Sequence, residues 1–404
     1  MNELRIGVLG NVDSGKSTII SVLKEHQLDN GRGLARQTIL KHKHEKDSGR
    51  TSSITHHYYV SEEYNKILSF IDLAGHEKYY KTTVFGVNGC SLDYIVLMIG
   101  SNMGVTKMTI EHLTLILVLK IPFIIVFSKI DICPPNIYKQ TFNIITKTLR
   151  KYKIYHELKE ITSKDQYNNF ANLNIIPYFN ISNVKGNNID TLRNFLLNIS
   201  NVYNWKELKL EKKKCIIEDI FFVNGVGIVI TGTVISGIIS KGDKIMIGPF
   251  NGLFYEIQIK SIHDNFRKIV DCIHAGESGC FNIKSIDKQF NLKRSNIKRG
   301  MILLDKTHNN HTYKEFEAKI KILHHPTTIK ENYETTIHCG STRQIARIIK
   351  IKKECDNDIC LRTGDISIVK FRFKKKPEFI QEKKQIIFRE GQTKGIGVIT
   401  KLIA

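Results

Sequence analysis

The stretch LRIGVLGNVDSGKSTIISVLK, residues 4–24, restricts the fold more than any other part of the chain. An apolar run suited to a buried strand leads into Gly10, four residues, then Gly15, Lys16 and Ser17, and an apolar helical pattern follows at once. In that strand, loop, helix context glycines let the backbone come close to a phosphate, and N–H groups at the helix start favour the anion. The reading places Asn11, Val12, Asp13, Ser14, Gly15, Lys16, Ser17 and Thr18 around the phosphates of a nucleoside triphosphate. Lys16 would bridge the β- and γ-phosphates, and the Ser17 hydroxyl would ligate Mg²⁺. The motif leaves the base open.

From residue 4 to about 200 apolar runs (LRIGVLG, NKILSFIDL, DYIVLMIG, PFIIVFSKI, NIIPYFNIS) alternate with helical stretches such as TIEHLTLILVLK and IDTLRNFLLNIS. That alternation predicts an α/β domain, a doubly wound and mainly parallel sheet with its ligand loops at the carboxyl ends of the strands. After VYNWKELKLEKKK, residues 202–214, helical periodicity stops and short β-rich segments separated by Gly and Asn run to the C-terminus. Two β-barrels or sandwiches are expected there, divided near the polar KTHNNHT, 306–312. The predicted domains are 1–205, 206–308 and 309–404.

Three further stretches bear on the base. FIDLAGHEKY puts Asp72 at the end of a strand, where a carboxylate holds Mg²⁺ through water, and then Gly75, whose N–H reaches a γ-phosphate. FSKID puts Ser128, Lys129 and Asp131 at the end of a later strand, where the carboxylate would accept from N1 and N2 of guanine, donors that adenine lacks. ISNVKG puts Ser182, Asn183 and Val184 after one more strand, with the Ser182–Asn183 backbone facing the guanine carbonyl oxygen. An aspartate after a strand also caps helices, and Ser-Asn also makes plain turns. The four stretches in this order favour guanine.

At these residues the chain resembles the translational GTPases, the elongation factor Tu and elongation factor 1-alpha superfamily. GNVDSGKST is similar to the G-H-V-D-x-G-K-[ST] loop of that family, and DLAGH to its D-x-P-G-H. Within it DSGRTSSI (47–54), SKIDICP (128–134), EFEAKIKILHHPTTI (315–329), IHCGSTRQIARI (337–348) and FREGQTKGIGVI (388–399) resemble the branch of GTP-binding proteins 1 and 2. The resemblance runs the whole chain. It implies a P-loop GTPase domain followed by two β-barrels, GTP/GDP and Mg²⁺ as cofactors, and a monovalent cation beside Asp13. It assigns catalysis to His76, which would orient the attacking water, with Lys16 and with Thr51, which would join Ser17 and Asp72 at Mg²⁺ in the GTP state.

Departures from the family pattern are informative. Ser128 replaces the usual Asn of N-K-x-D, Arg50 stands where an apolar residue precedes the switch threonine, and Val12 alone remains of an apolar gate over the histidine. In the second domain IIEDIFFVNGVGIVITGTVISGIISKGD resembles the surface that docks the aminoacylated 3′ end of tRNA. Glu218, Asp219, Phe221 and Arg267 match its positions, while Ser278 and Phe266 replace its usual Asn and His. A packed strand edge is the bland reading of the same residues. In the third domain Arg343, Arg347, Lys394 and the run FRFKKK (371–376) are candidates for RNA phosphate contacts, against a solvated basic edge strand.

Charge agrees with a polyanionic partner: the chain carries +22, of which +15 falls after residue 200. Eight cysteines without a C-x-x-C pair suggest reduced thiols, and His324 and His325, adjacent on a strand, point to opposite faces and do not chelate one ion. No run of 18 apolar residues and no secretory or transit signal precede or interrupt the strands, so a cytoplasmic protein with no membrane partner is expected; it is expected to be a monomer. The expected function is a GTPase that binds aminoacyl-tRNA, delivers it to the ribosome and hydrolyses GTP to GDP and phosphate. The alternatives are a ribosome-rescue or mRNA-surveillance GTPase that binds a protein partner or RNA-decay factor, and a GTP-dependent RNA-binding module without turnover.

Overall fold

A computed structural model describes residues 2–39, 54–152, 154, 156–164, 166, 175–287, 290–352, 360–390 and 393–403. The chain divides at Tyr203 into two compact units.

Among its described residues the first unit has seven strands: β1 (Asn2–Gly10), β2 (Thr55–Ser61), β3 (Lys66–Asp72), β4 (Tyr94–Gly100), β5 (Phe123–Ser128), β6 (Glu157–Glu160) and β7 (Ile175–Asn180). Their order is β2-β3-β1-β4-β5-β7-β6. Every pair is parallel except β2 with β3. β4 and β5 are buried along their whole length, as strands covered on both faces must be, which explains why they read as continuous apolar runs. β2 and β6, both more polar and at the two edges, gave no such run. On one face Leu4, Ile6 and Val8 pack with Ile19, Ile20 and Leu23 of the helix Lys16–Glu25 and with Phe195 of the helix Ile189–Asn198. Lys66 ends that last helix by donating to the carbonyls of Leu196, Leu197 and Ile199, and burial brings its pKa down to about 8.

Among the described residues of the second unit there are two closed rings. The first joins β8 (Lys214–Val223), β9 (Gly227–Ser236), β11 (Lys244–Phe250), β12 (Leu253–Asp264), β15 (Ser278–Ser285) and β16 (Ile302–Leu304) in the order β11-β16-β8-β9-β15-β12, closed by the pairing of β11 with β12. Short strands β10 (Ile238–Ser240), β13 (Ile269–Val270) and β14 (Cys272–His274) flank it. The second is a closed barrel of β17 (Glu315–His324), β18 (Glu334–Cys339), β19 (Thr342–Lys352), β20 (Ile366–Phe373), β21 (Gln385–Glu390) and β22 (Thr393–Ile403), in the order β17-β20-β19-β18-β21-β22. β19 alternates buried and exposed positions almost throughout, with Ala346 and Ile348 inside. Phe254 of the first ring meets Phe379 beside the second at 5.8 Å, in a small apolar cluster with Ile302 and Leu304. Among the described residues no helix is long and apolar enough to cross a membrane.

Candidate functional site

The loops singled out in the sequence leave the carboxyl ends of β1, β3, β5 and β7, where an open parallel sheet binds its ligands. Val8 pairs with Asp72 and Gly100 with Ser128, so the sheet register sets the carboxylate and the serine beside the loop after β1.

In that loop Gly15, left-handed at φ 86°, turns the chain into the helix that begins at Lys16. The Asn11 carbonyl is its hub, accepting from Ser14 N at 3.4 Å, Ser14 Oγ at 2.8 Å and Lys16 Nζ at 2.8 Å. Lys16 is buried, and loss of water lowers its pKa against the pull of Asp72 and Asp13. Asp13 is exposed with φ 59°, while Val12 and Thr18 are half-buried. The Ser17 hydroxyl lies 2.5 Å from Asp72 Oδ2. Two hard oxygen donors converging in this way fit Mg²⁺, with Ser17 and Asp72 as the residues that would hold it. Gly75 has to be glycine: a Cβ there would stand 2.5 Å from both the Gly10 carbonyl oxygen and Lys16 Nζ.

His76 starts the short 3₁₀ turn Glu77–Tyr79, and its Nδ1 accepts from Lys78 N at 3.1 Å. A neutral ring that accepts at Nδ1 carries its proton on Nε2. Thr51 and Arg50 lie outside the described residues.

At the far end of the crevice Ser128 is fully buried, and its hydroxyl donates to the Ser14 carbonyl at 2.7 Å. Lys129, left-handed at φ 59°, caps the turn Ile130–Ile132 that holds Asp131. Ser182 Oγ accepts from Val184 N and Lys185 N at 3.3 and 3.0 Å. The Asn183 carbonyl accepts from Asp29 N at 2.9 Å. Asp29 was missed in the sequence. Its carboxylate accepts from the N–H groups of Gly31, Gly33 and Ala35, shaping the segment toward residue 39, and the signal was there in D-N-G-R-G, an aspartate ahead of two glycines.

The Elongation factor Tu GTP binding domain model matches residues 1–201. GTP-binding protein 1 of Xenopus laevis is 42% identical over 99% of this chain and 64% of its own length, so the chain spans under two thirds of that relative. Human GTP-binding protein 2 is 36% identical over 100% of this chain and 70% of its own. The chain belongs to the elongation factor Tu-type GTPase family, in the branch of GTP-binding proteins 1 and 2. Its fold is also that of translation elongation factor SelB from Methanococcus maripaludis in complex with the GTP analogue GppNHp, with a TM-score of 0.72, 21% identity, and 100% of this chain and 80% of that one covered.

In the first barrel Thr233 Oγ1 donates to Glu218 Oε1 at 2.6 Å and lies 2.9 Å from Ser278 Oγ, a polar row across β8, β9 and β15. Asp219 pairs with Arg299 at 2.8 Å. Phe221 and Phe222, further along β8, are 45% and 62% exposed, so the packed reading of Phe221 does not hold. Arg267 stands exposed in the turn that follows Asp264, whose strand partner is Gly279 next to Ser278.

In the second barrel the candidates do not converge. Arg343 is on β19 and Lys394 on β22, three steps apart around the ring in either direction. β20 is no edge strand, since β17 and β19 flank it. Within FRFKKK, Phe371 and Phe373 are core, and Arg372, Lys374 and Lys376 pair with Glu315, Glu334 and Glu378; Arg347 also pairs with Glu334.

Proposed function

We propose that this chain is a GTP-driven switch that binds tRNA in its GTP state, delivers it to the ribosome in the cytoplasm, and hydrolyses GTP to GDP and phosphate. The observation that carries this is the convergence of the phosphate loop, Asp72, Gly75, His76 and the SKID and ISN loops in one crevice of an elongation factor Tu-type domain. Lys16 leaves the Asn11 carbonyl for the phosphates, and Ser128 and Asp131 keep the base end in register. Mg²⁺ would neutralise phosphate charge, held by Ser17 and Asp72 and, in the GTP state, by Thr51. With its proton on Nε2, His76 acts by donation, holding water or a phosphate oxygen in line rather than removing a proton at that atom. Positioning of this kind makes turnover slow until the ribosome fixes the histidine. A monovalent cation beside Asp13 belongs to the same reading.

For RNA, Phe221 offers an exposed ring, Glu218, Asp219 and Arg267 frame the 3′ end, and Arg343 and Lys394 contact phosphates from separate walls. The charge of +22 supports it. A rescue or surveillance role with a protein partner is the second reading. It is favoured by the bonds of Glu218 to Thr233 and Asp219 to Arg299, which already engage the carboxylates meant for the aminoacyl end. GTP turnover with and without ribosomes, with charged and uncharged tRNA, for wild type and His76→Ala decides between them. Stimulation enhanced by charged tRNA and abolished in His76→Ala supports delivery; stimulation indifferent to tRNA supports the second reading; none leaves an RNA-binding module.

A further inference from the structure

Asn183 differs from every other polar group of the guanine loops. Its side chain is buried, at 9% exposure, and Oδ1 has no hydrogen-bond partner among the described residues. Buried polar atoms are nearly always satisfied, so an orphan inside a ligand crevice marks a group reserved for the ligand. The carboxamide also has a defined place. A Cβ on Gly15 would lie 3.4 Å from Asn183 Nδ2 and 3.8 Å from Ser128 Oγ, so the amide rests against the phosphate loop beside the first residue of S-K-x-D.

Ser128 has one donor, and it is spent on the Ser14 carbonyl at 2.7 Å. It fastens the phosphate loop and has nothing left for a base. Where the family pattern has asparagine, an amide offers two donors and an acceptor from the same position. This chain carries its amide one loop later, facing the serine across Gly15.

We propose that Asn183 supplies the carboxamide that Ser128 cannot. The duties of one asparagine are divided: Ser128 holds the phosphate loop, and the Asn183 amide donates to N7 of the purine. Of the two ends of the amide, Nδ2 is the one set against the phosphate loop, 3.4 Å from where a Gly15 Cβ would stand, and its NH₂ is the donor to that acceptor. The carbonyl oxygen of guanine is met by the Ser182–Asn183 backbone and its N1 and N2 donors by Asp131, which leaves N7 as the remaining acceptor of that edge. Asn183 therefore sets affinity and register, while selectivity for guanine stays with Asp131.

The inference rests on the reading that these loops hold guanine, and the experiment separates the two. Dissociation constants are measured for GDP and for 7-deaza-GDP, in which a C–H replaces N7, with wild type, Asn183→Ala, the isosteric Asn183→Asp, and the double variant Ser128→Asn/Asn183→Ala. Wild type should bind GDP about ten-fold tighter than 7-deaza-GDP, the size of one good hydrogen bond. Both single variants should lose about that factor for GDP and little for 7-deaza-GDP, and the double variant should recover part of it. Equal losses for both nucleotides, or no loss, overturn the role of Asn183 and leave the guanine reading intact. A wild type that binds neither guanine nucleotide overturns both. Asn183→Asp keeps the shape of the side chain, so a failure of Asn183→Ala to fold does not remove the test.

Discussion

The crevice at the carboxyl ends of β1, β3, β5 and β7 and the row Glu218–Thr233–Ser278 on the first barrel both gather polar side chains, by different means. In the crevice most of the described groups are fixed on main chain: Lys16 and Ser14 on the Asn11 carbonyl, Ser128 on the Ser14 carbonyl, Asp29 on three N–H groups, with Ser17 and Asp72 paired side chain to side chain at the position suited to Mg²⁺. On the barrel side chains hold one another, next to exposed Phe221 and Phe222. Groups fixed on backbone and out of water discriminate one small ligand sharply. Groups on a half-exposed face spread recognition over a wide partner, and each contributes little.

The largest effect that this contrast predicts is at Lys16. Lys16→Met should weaken GTP binding on the order of 100- to 1,000-fold, since it removes one member of a buried charge pair with phosphate. The ligand-free protein should not lose stability, because desolvation already lowers the Lys16 pKa and so disfavours its charged form in the fold. Calorimetric titration with GTP and a thermal melt check the two halves. A melt lowered as far as binding is weakened would mean that Lys16 is a structural residue, and the contrast would fail at its strongest point.

Asp29→Ala comes next. Three N–H groups lose their acceptor, and the first unit should lose roughly 1–2 kcal/mol. Because Asp29 N holds the Asn183 carbonyl through backbone that the substitution keeps, GDP affinity should fall only a few-fold by rough estimate. Denaturant unfolding and GDP release rates measure both, and unchanged stability would remove Asp29 from the frame of the site.

How far the sequence could be read follows from the same difference. Gly10, Gly15, Lys16, Asp72 and Gly75 were legible because backbone geometry dictates them: only glycine tolerates the approach of Gly75 to the Gly10 carbonyl, and the register of β1 with β3 places Asp72. The long buried strands β4 and β5 were legible as apolar runs, whereas β2 and β6 at the edges were not. Closure of the two β domains into rings was not visible in strand patterns. Closure decides that Phe371–Phe373 lie in an interior strand, where Arg372 meets Glu315 and Lys374 just beyond it meets Glu334, partners distant in sequence, while Lys376 pairs locally with Glu378. The orphaned Asn183 oxygen was equally out of reach, since it depends on what lies opposite in another loop.

On the barrel, Asp219→Ala should change stability by less than about 1 kcal/mol, as its pair with Arg299 is half-exposed. GTP affinity should stay constant and tRNA affinity fall a few-fold, by rough estimate for one partly solvated contact. Filter binding of tRNA at fixed salt and a melt are the measurements. A loss of stability equal to that of Asp29→Ala would make this row scaffold, and the difference between the two regions would shrink to one of exposure alone.

The smallest effect concerns pH and tests the backbone-fixed kind of group far from any ligand. Asp93 accepts from Arg5 N at 3.0 Å, Val202 N at 3.0 Å and Asn201 Nδ2 at 3.3 Å. Burial nevertheless raises its pKa above the usual 3.8, outweighing those bonds and the Arg5 charge. The folded state then binds the proton more tightly than the unfolded one, so this group's contribution is fullest below the ordinary carboxylate range and is lost as pH rises through the folded value. Asp93→Asn keeps the shape and removes the titration. Its stability relative to wild type should therefore improve as pH rises from the ordinary carboxylate range through the folded value and then level off, even where the lost acceptor makes it the weaker of the two. Denaturant midpoints for both proteins across that range give the difference directly. A difference constant with pH would mean that the three hydrogen bonds fully offset burial at Asp93, and that these donors hold a buried carboxylate ionised as effectively here as water does outside.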